Sequence, residues 1–316
     1  MEQTRRRFLA ASAVMGTGAL AGCNAVTDAI PFIGGGGLGS YQQWVYPADQ
    51  FNQDADSLNF SGTNQKGIYD SRKSFYPSTY SSLAANYGVV GLTGRSVSMD
   101  LSLPEGRVLQ GSYDTAEVVA ELEDDAGTEY ESDGSYSGYE LYVPSDRNEP
   151  NQAVGVSDSA IVFGQRVEPG FGADWDAAAA TDVVEGIIDT KGGSATRAVS
   201  ENDDLATLVN TLNSGTSVSG GTRSDEVDSD RADAESGVFD GQVASGQSWS
   251  VNGDTTSRQW VFVFDSEGDV STSDLDDWVE ANDNGGTFTR ARNVQVSQNG
   301  RAGVVTAKID TYDLFR

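Results

Sequence analysis

The sequence contains no histidine and one cysteine, Cys23. Imidazole is a frequent general base and a common ligand of zinc, haem and copper, so sites that need it are excluded within this chain. A single cysteine forms no intrachain disulfide, and as a nucleophile it would have no histidine beside it. We therefore expect no cofactor held by these side chains.

Basic residues are scarce as well. The 316-residue chain has 20 Lys and Arg against 48 Asp and Glu, a net charge of −28, and only four of the basic residues are lysines. Self-repulsion at this charge density is tolerated where molar salt shortens the screening length to about 3 Å. The composition therefore predicts a halophile protein with a brine-adapted surface. We expect no nucleic-acid partner, because no stretch of the mature chain concentrates positive charge.

Catalytic signatures are missing too. The chain has no G-x-S-x-G, S-x-x-K, H-E-x-x-H or phosphate-binding G-x-x-x-x-G-K-[ST] motif. A carboxylate pair needs only Asp and Glu, so glycosidase chemistry stays open, but no pair stands out among so many acids. The best calcium-like run, Asp265, Glu267 and Asp269, has Val270 where an EF-hand needs glycine, which favours a strand-to-helix loop over a metal site.

The N-terminus carries the features of an export signal. Arg5 and Arg6 lie in a Thr-Arg-Arg-Arg-Phe-Leu run typical of twin-arginine signals, and the weakly apolar run that follows, residues 9–20, is too short to span a bilayer. It ends in Leu-Ala-Gly-Cys, a lipobox, so residues 1–22 are predicted to be a signal peptide and Cys23 to carry a lipid. Removal of residues 1–22 leaves 47 acidic and 17 basic residues, a net charge of −30. We expect a membrane lipid anchor and a location on the outer face of the cell membrane.

A flexible tether and an aromatic-rich segment follow the lipobox. Residues 23–40 are rich in glycine, and their G-x-G-x-x-G match is not followed by a helix that could hold a dinucleotide. Residues 41–88 carry many aromatic side chains, for which packing is favoured over a carbohydrate platform. The segment contains one N-glycosylation sequon, at Asn59.

Hydrophobic periodicity predicts an α+β fold in two lobes. The N-terminal lobe, residues 41–213, contains a β-β-α-β-β-β pattern of ferredoxin-like type in residues 97–164, with a helix over residues 115–125, followed by two helices over residues 176–190 and 201–213. The C-terminal lobe, residues 238–316, repeats strand, strand and helix and adds strands over residues 288–290, 294–297 and 303–309. The acidic, Gly- and Ser-rich residues 214–237 are predicted to link the lobes. Internal duplication and convergent patterning both remain open.

Several of these segments resemble a family of uncharacterised haloarchaeal surface lipoproteins exported by the twin-arginine pathway. The runs that carry the resemblance are residues 136–142, 153–164, 184–189 and 203–205. The resemblance covers residues 90–215 and implies fold and location, with no activity.

The leading hypothesis is a membrane-anchored extracellular lipoprotein without catalytic activity, which binds an unknown protein partner or takes part in envelope assembly. The alternatives are a ligand-binding lipoprotein that serves a transporter and uses an inter-lobe cleft, and a carboxylate-based hydrolase.

Overall fold

A large antiparallel sheet organises the chain. The computed structural model describes residues 38, 41–124, 128–145, 150–170, 173, 175–283 and 286–315, which belong to one compact unit. Twelve strands pair in the order β13-β14-β12-β11-β10-β1-β4-β5-β9-β8-β7-β6, and β2 and β3 form a separate hairpin. The strands are β1 (Asn59–Thr63), β2 (Asn86–Tyr87), β3 (Leu92–Thr93), β4 (Val97–Ser102), β5 (Gly106–Gly111), β6 (Tyr130–Tyr136), β7 (Tyr139–Pro144), β8 (Gln152–Val156), β9 (Ala160–Gln165), β10 (Ser217–Thr222), β11 (Gln242–Asn252), β12 (Thr255–Phe264), β13 (Arg292–Asn299) and β14 (Ala302–Asp310).

Seven α-helices accompany the sheet in the described part of the chain. They are α1 (Gln65–Asp70), α2 (Pro77–Leu83), α3 (Thr115–Glu123), α4 (Ala180–Gly192), α5 (Ala198–Glu201), α6 (Asp203–Thr211) and α7 (Thr272–Ala281). Their ends follow ordinary capping chemistry: Asp114 accepts a hydrogen bond from the backbone of Ala116 at the start of α3. Gly193, with φ of 83°, ends α4 in the left-handed conformation.

The two faces of the sheet are covered differently. On one side, which we call the helix face, α4 and α6 form a continuous core with the N-terminal segment and inward residues such as Val261 and Val263. On the other side, which we call the groove face, α3 packs on Val97 and Leu109, while α7 packs at a distance along the sheet on Trp260 and Phe262. The continuous apolar run of β12 reflects this burial on both faces.

The aromatic N-terminal segment packs against the helix face. Among its side chains Tyr41, Trp44, Tyr46, Phe51 and Phe60 are all buried in the core shared with α4 and α6. These five aromatic residues therefore pack in the core, which is the role that the sequence favoured for the aromatic side chains of residues 41–88.

Strand order is the same on both sides of the central β1–β10 pair. One side runs β1-β4-β5-β9-β8 and the other β10-β11-β12-β14-β13. A helix follows the third strand of each series: α3 comes after β5, and α7 comes after β12. The central pair itself is antiparallel, with Ser61 opposite Ser219.

The two-lobe prediction is not confirmed. All the main strands belong to one sheet, and β10 lies near its middle within residues 214–237, which were predicted as a linker. Its sequence, Ser-Val-Ser-Gly-Gly-Thr, looks like that of a linker. Space at Gly220 is tight, because a Cβ there would lie 3.0 Å from Leu208 of α6 and 3.0 Å from the Ser245 carbonyl oxygen. The ferredoxin-like pattern also lacks β6, whose polar sequence gives no strand signal, and the strand predicted over residues 288–290 is wrong, since those residues form a turn.

Candidate functional site

The middle of the groove face is left uncovered between α3 and α7. There β4, β1, β10 and β11 present small polar side chains, and Ser61 and Ser102 are exposed. These strands are hydrogen-bonded to neighbours on both sides. The uncovered area is therefore a polar floor without a free strand edge.

Strand register aligns seven side chains in one row across this floor, which we call the groove row. Consecutive partners are paired in the sheet, so the row runs perpendicular to the strands. Its members, in order, are Phe163, Arg107, Ser102, Ser61, Ser219, Gln247 and Trp260. Six strand spacings of about 4.8 Å give a length of about 29 Å. The row has an aromatic residue at each end and hydroxyl groups in the middle.

A cavity opens at each end of the groove row. The cavity at the Phe163 end has a volume of about 460 Å³ and is lined by Tyr87, Ser102 and Arg107 among others. The cavity at the Trp260 end has a volume of about 650 Å³ and is lined by Ser219 and Gln247 among others. Ser61, paired with both Ser102 and Ser219, lies between them. The groove row therefore runs from one cavity to the other, and we call the uncovered floor together with these two cavities the groove.

Arg107 is fixed by a buried carboxylate. Its Nε and Nη2 atoms donate to the two carboxylate oxygens of Asp100, each at 2.8 Å, and the hydroxyl of Tyr87 donates to Asp100 Oδ2 at 2.7 Å. The bond to Asp100 raises the pKa of Arg107, and burial raises the pKa of Tyr87. This bidentate pair neutralises the cation at the Phe163 end of the groove.

Aromatic side chains build the other end. The Trp260 ring packs edge-on against Trp278 of α7 and against Phe288, with ring centroids 5.9 and 4.9 Å away. The guanidinium of Arg258 lies 4.6 Å from the centre of the Trp260 ring. The Trp260 ring, which is 7% exposed, is thus held between other aromatic rings and a cation.

No carboxylate lines either cavity. Their described linings contain no Asp or Glu, although these make up 48 of the 316 residues. A third cavity of about 320 Å³, beside α1 and α2, also has an arginine, Arg95, and no acid. The described linings of these three cavities therefore differ in charge from the acidic chain as a whole, which is the property expected of binding surfaces for neutral or anionic ligands.

One stretch of the chain carries more basic than acidic residues. Residues 57–99 contain four basic residues and one acid, Asp70. Within them Arg72 and Arg95 both stack on the ring of Tyr69, at 4.3 and 4.4 Å from its centre. The overall acidity of the chain had hidden this local excess.

Of the site residues predicted from the sequence, Asn59 lies at the groove. It is exposed at the start of β1 and lines the cavity at the Trp260 end. Cys23, Arg5 and Arg6 lie outside the described residues. None of the helices in the described residues is long and apolar enough to cross a membrane.

The acidic run after β12 forms the strand-to-helix loop favoured from the sequence. Asp265, Glu267 and Asp269 are exposed, and the Asp269 carboxylate accepts a hydrogen bond from the backbone of Ser266 at 3.0 Å. Ser271 then caps α7 by accepting from the backbone of Asp274. Across the described ranges, no three His, Cys, Asp or Glu side chains are grouped so that they could hold a metal ion.

The groove row was missed because its members are far apart in sequence and its three central members are serines. The one local signal is the alternation of polar and aromatic residues along β11 and β12, which places Gln247, Arg258 and Trp260 on a single face. Alternation predicts a face, but only pairing with β10, β1 and β4 predicts a groove.

Fold and groove together define a mixed α+β protein dominated by an antiparallel sheet, with a carboxylate-free groove across one face. No protein-family model matches the chain, and a search of curated proteins finds no match. Solved structures of TP0453 are similar at low identity. Crystal form I has a TM-score of 0.44 and 7% identity, covering 87% of this chain and 94% of that chain, and crystal form IV has a TM-score of 0.43 and 8% identity, covering 86% and 96%.

Proposed function

We propose that this protein is a non-enzymatic lipoprotein of the outer cell surface of a halophile, anchored through Cys23, and that it binds a glycan chain of the cell envelope along the groove row. The observation that carries the proposal is the row itself: hydroxyl and amide groups between two aromatic ends, in a groove without carboxylates. Such a combination suits sugars, which present hydroxyls at their edges and apolar C–H faces to aromatic rings.

The central hydroxyls are free to bind a ligand. Ser61, Ser102 and Ser219 make no side-chain hydrogen bond to another described residue. Each serine hydroxyl can both donate and accept a hydrogen bond. The three together can therefore pair with successive sugar hydroxyls, whether these donate or accept. Ordered water can fill the remaining gaps between groove and ligand.

A peptide is less suited to this groove. Peptides commonly bind to sheets by adding a strand to an exposed edge, through their backbone amides. The floor strands β1, β4, β10 and β11 are paired on both sides, so their backbone groups are already used. A peptide lying across them would depend on a few serine hydroxyls to satisfy its own backbone.

The two other hypotheses from the sequence gain less support. A solute carrier closes two lobes around its ligand, whereas this groove lies open on one continuous sheet. A carboxylate-based hydrolase needs two acids about 5 to 10 Å apart at the bound sugar. The described cavity linings hold none, and nearby Asp100 is bound by Arg107 and Tyr87.

We also propose that the sheet arose by internal duplication. The matching strand orders on the two sides of the β1–β10 pair, and the matching positions of α3 and α7, support it. In this proposal β6 and β7 are an insertion in the first copy, and the groove forms where the two copies meet.

The glycan proposal is tested by calorimetry with the full-length chain in detergent at molar salt, titrated with neutral and acidic hexasaccharides. We expect Ser61→Tyr, which fills the middle of the groove, to weaken binding at least tenfold. Ser135→Tyr on edge strand β6 is the matched control, because Ser135 is also an exposed strand serine but lies outside the groove.

Two results would overturn the proposal. One is a wild-type chain that binds none of the oligosaccharides, while cross-linking on intact membranes captures a defined protein through groove residues. The other is a Ser61→Tyr variant that binds as tightly as the wild type.

A further inference from the structure

Arg258 lies in the neighbouring row of side chains, beside the Trp260 end of the groove row. It stands two residues before Trp260 on β12, so both side chains leave the same face of the sheet. Its Nη2 atom donates to Gln247 Oε1 at 3.5 Å, and its guanidinium lies over the Trp260 ring. The cation is therefore held between the last two members of the groove row.

The surroundings of this guanidinium are apolar. Phe315 lies on it as well, with its ring centre 5.8 Å from the Arg258 Cζ atom, and the ring of Trp249 packs edge-on against Phe315. Burial in this aromatic pocket lowers the pKa of Arg258. Two aromatic rings thus lie beside the guanidinium of Arg258.

No described carboxylate pairs with Arg258. Among the described residues, its one hydrogen-bond partner is the neutral side-chain amide of Gln247. Arg107, at the other end of the groove row, has both oxygens of Asp100 within 2.8 Å. In a chain with so many acids, a partly desolvated arginine without a counter-charge is costly to the fold, and an anionic ligand group would remove that cost.

We infer that Arg258 is the specificity residue of the groove, and that it selects glycans whose sugars carry an acidic group by binding that carboxylate or sulfate beside Trp260. The inference rests on the proposed glycan function and names its ligand class. Arg107 is less suited to this role, because its charge is already paired with Asp100.

The test compares two ligands that differ only in charge: an oligogalacturonate hexamer and its carboxyl-reduced, neutral counterpart. We expect the wild-type chain to bind the acidic hexamer about tenfold more tightly at molar salt, since hydrogen bonds to ionised groups are stronger than neutral ones. Arg258→Gln should abolish this preference, so that the variant binds the two hexamers with equal affinity.

Two further variants complete the design. Arg258→Lys keeps the charge but loses the planar guanidinium, so we expect a preference for the acidic hexamer between those of the wild type and Arg258→Gln. If Arg258→Gln does not fold, this variant tests the inference in its place. Arg292→Gln removes one exposed charge from edge strand β13, outside both cavities, and should leave the preference unchanged.

The outcomes separate the inference from the function on which it rests. If wild type binds both hexamers and Arg258→Gln keeps the full preference for the acidic one, the role of Arg258 is wrong and the glycan function stands. If the wild-type chain binds neither hexamer nor any other oligosaccharide, the function itself fails. Equal loss of preference in Arg292→Gln would reduce the effect to net charge and would also refute the inference.

Discussion

The contact of Asp100 with Arg107 and Tyr87 leads to a sharp prediction about stability. Asp100 is 9% exposed and accepts three hydrogen bonds, two from Arg107 and one from Tyr87. Asp100→Ala removes all three acceptor contacts at once. The two donors that it leaves behind differ in their access to water, and this difference sets the size of the effect.

The magnitude follows from that difference. Tyr87 is 6% exposed, so its hydroxyl loses its partner in a buried place, at a cost of about 1–3 kcal/mol. The Arg107 side chain is 43% exposed and regains water, so its share is only about 1 kcal/mol. We expect Asp100→Ala to lower the free energy of unfolding by about 2–4 kcal/mol.

Urea unfolding of the full-length chain at a fixed molar salt concentration measures this effect. The matched control is Asp70→Ala, which removes the exposed helical pair between Lys66 and Asp70, where an effect below about 0.5 kcal/mol is expected. Asp100→Asn should lie between the two variants, because the amide keeps one acceptor. If Asp100→Ala were no more destabilising than Asp70→Ala, the hydrogen bonds of Asp100 with Arg107 and Tyr87 would not contribute to stability.

Four further predictions concern other parts of the chain. Burial raises the pKa of Tyr41 to about 12, so as the pH rises the unfolded chain loses this phenol proton before the folded chain does. The free energy of unfolding should therefore fall between about pH 10 and 12. Urea midpoints should show a smaller fall over this range in Tyr41→Phe. Gly164→Ala should cost about 1–3 kcal/mol in urea unfolding, since its Cβ would lie 2.6 Å from the Ala180 carbonyl oxygen, whereas Gly170→Ala meets open space and should cost little. Cys23→Ser should release the protein into the medium, and its retention in the membrane fraction would contradict the anchor. Intact-mass measurement should find Asn59 unmodified, because a glycan there would fill the groove that the proposed function needs.

Local elements were predicted well where burial is one-sided or the caps are clear. The helix predicted over residues 115–125 is α3, and Asp114 caps it. The helices predicted over residues 176–190 and 201–213 correspond to α4 and α6, whose apolar side chains face the sheet. Spacing of three and four residues is enough to predict such helices, because it depends on a single buried stripe.

Strands without apolar side chains were not predicted. The outer strand β6 is almost wholly exposed, and β10 consists of serine, glycine and threonine around one valine. The residues of β10 are small because α6 packs closely on one face of the strand. On its other face the strand forms part of the polar groove floor. Composition alone cannot distinguish such a strand from a linker.

The sequence by itself determined the chemical limits of this protein: the chain has no imidazole, no partner for a disulfide within it and a strongly acidic composition. It also predicted a signal peptide for export and a lipid on Cys23. These follow from residue types, which need no fold to be counted. Tertiary structure alone decided the groove. Ser102, Ser61 and Ser219 come from three strands far apart in the chain, and only their pairing brings these hydroxyls into one row beside an arginine without a counter-charge.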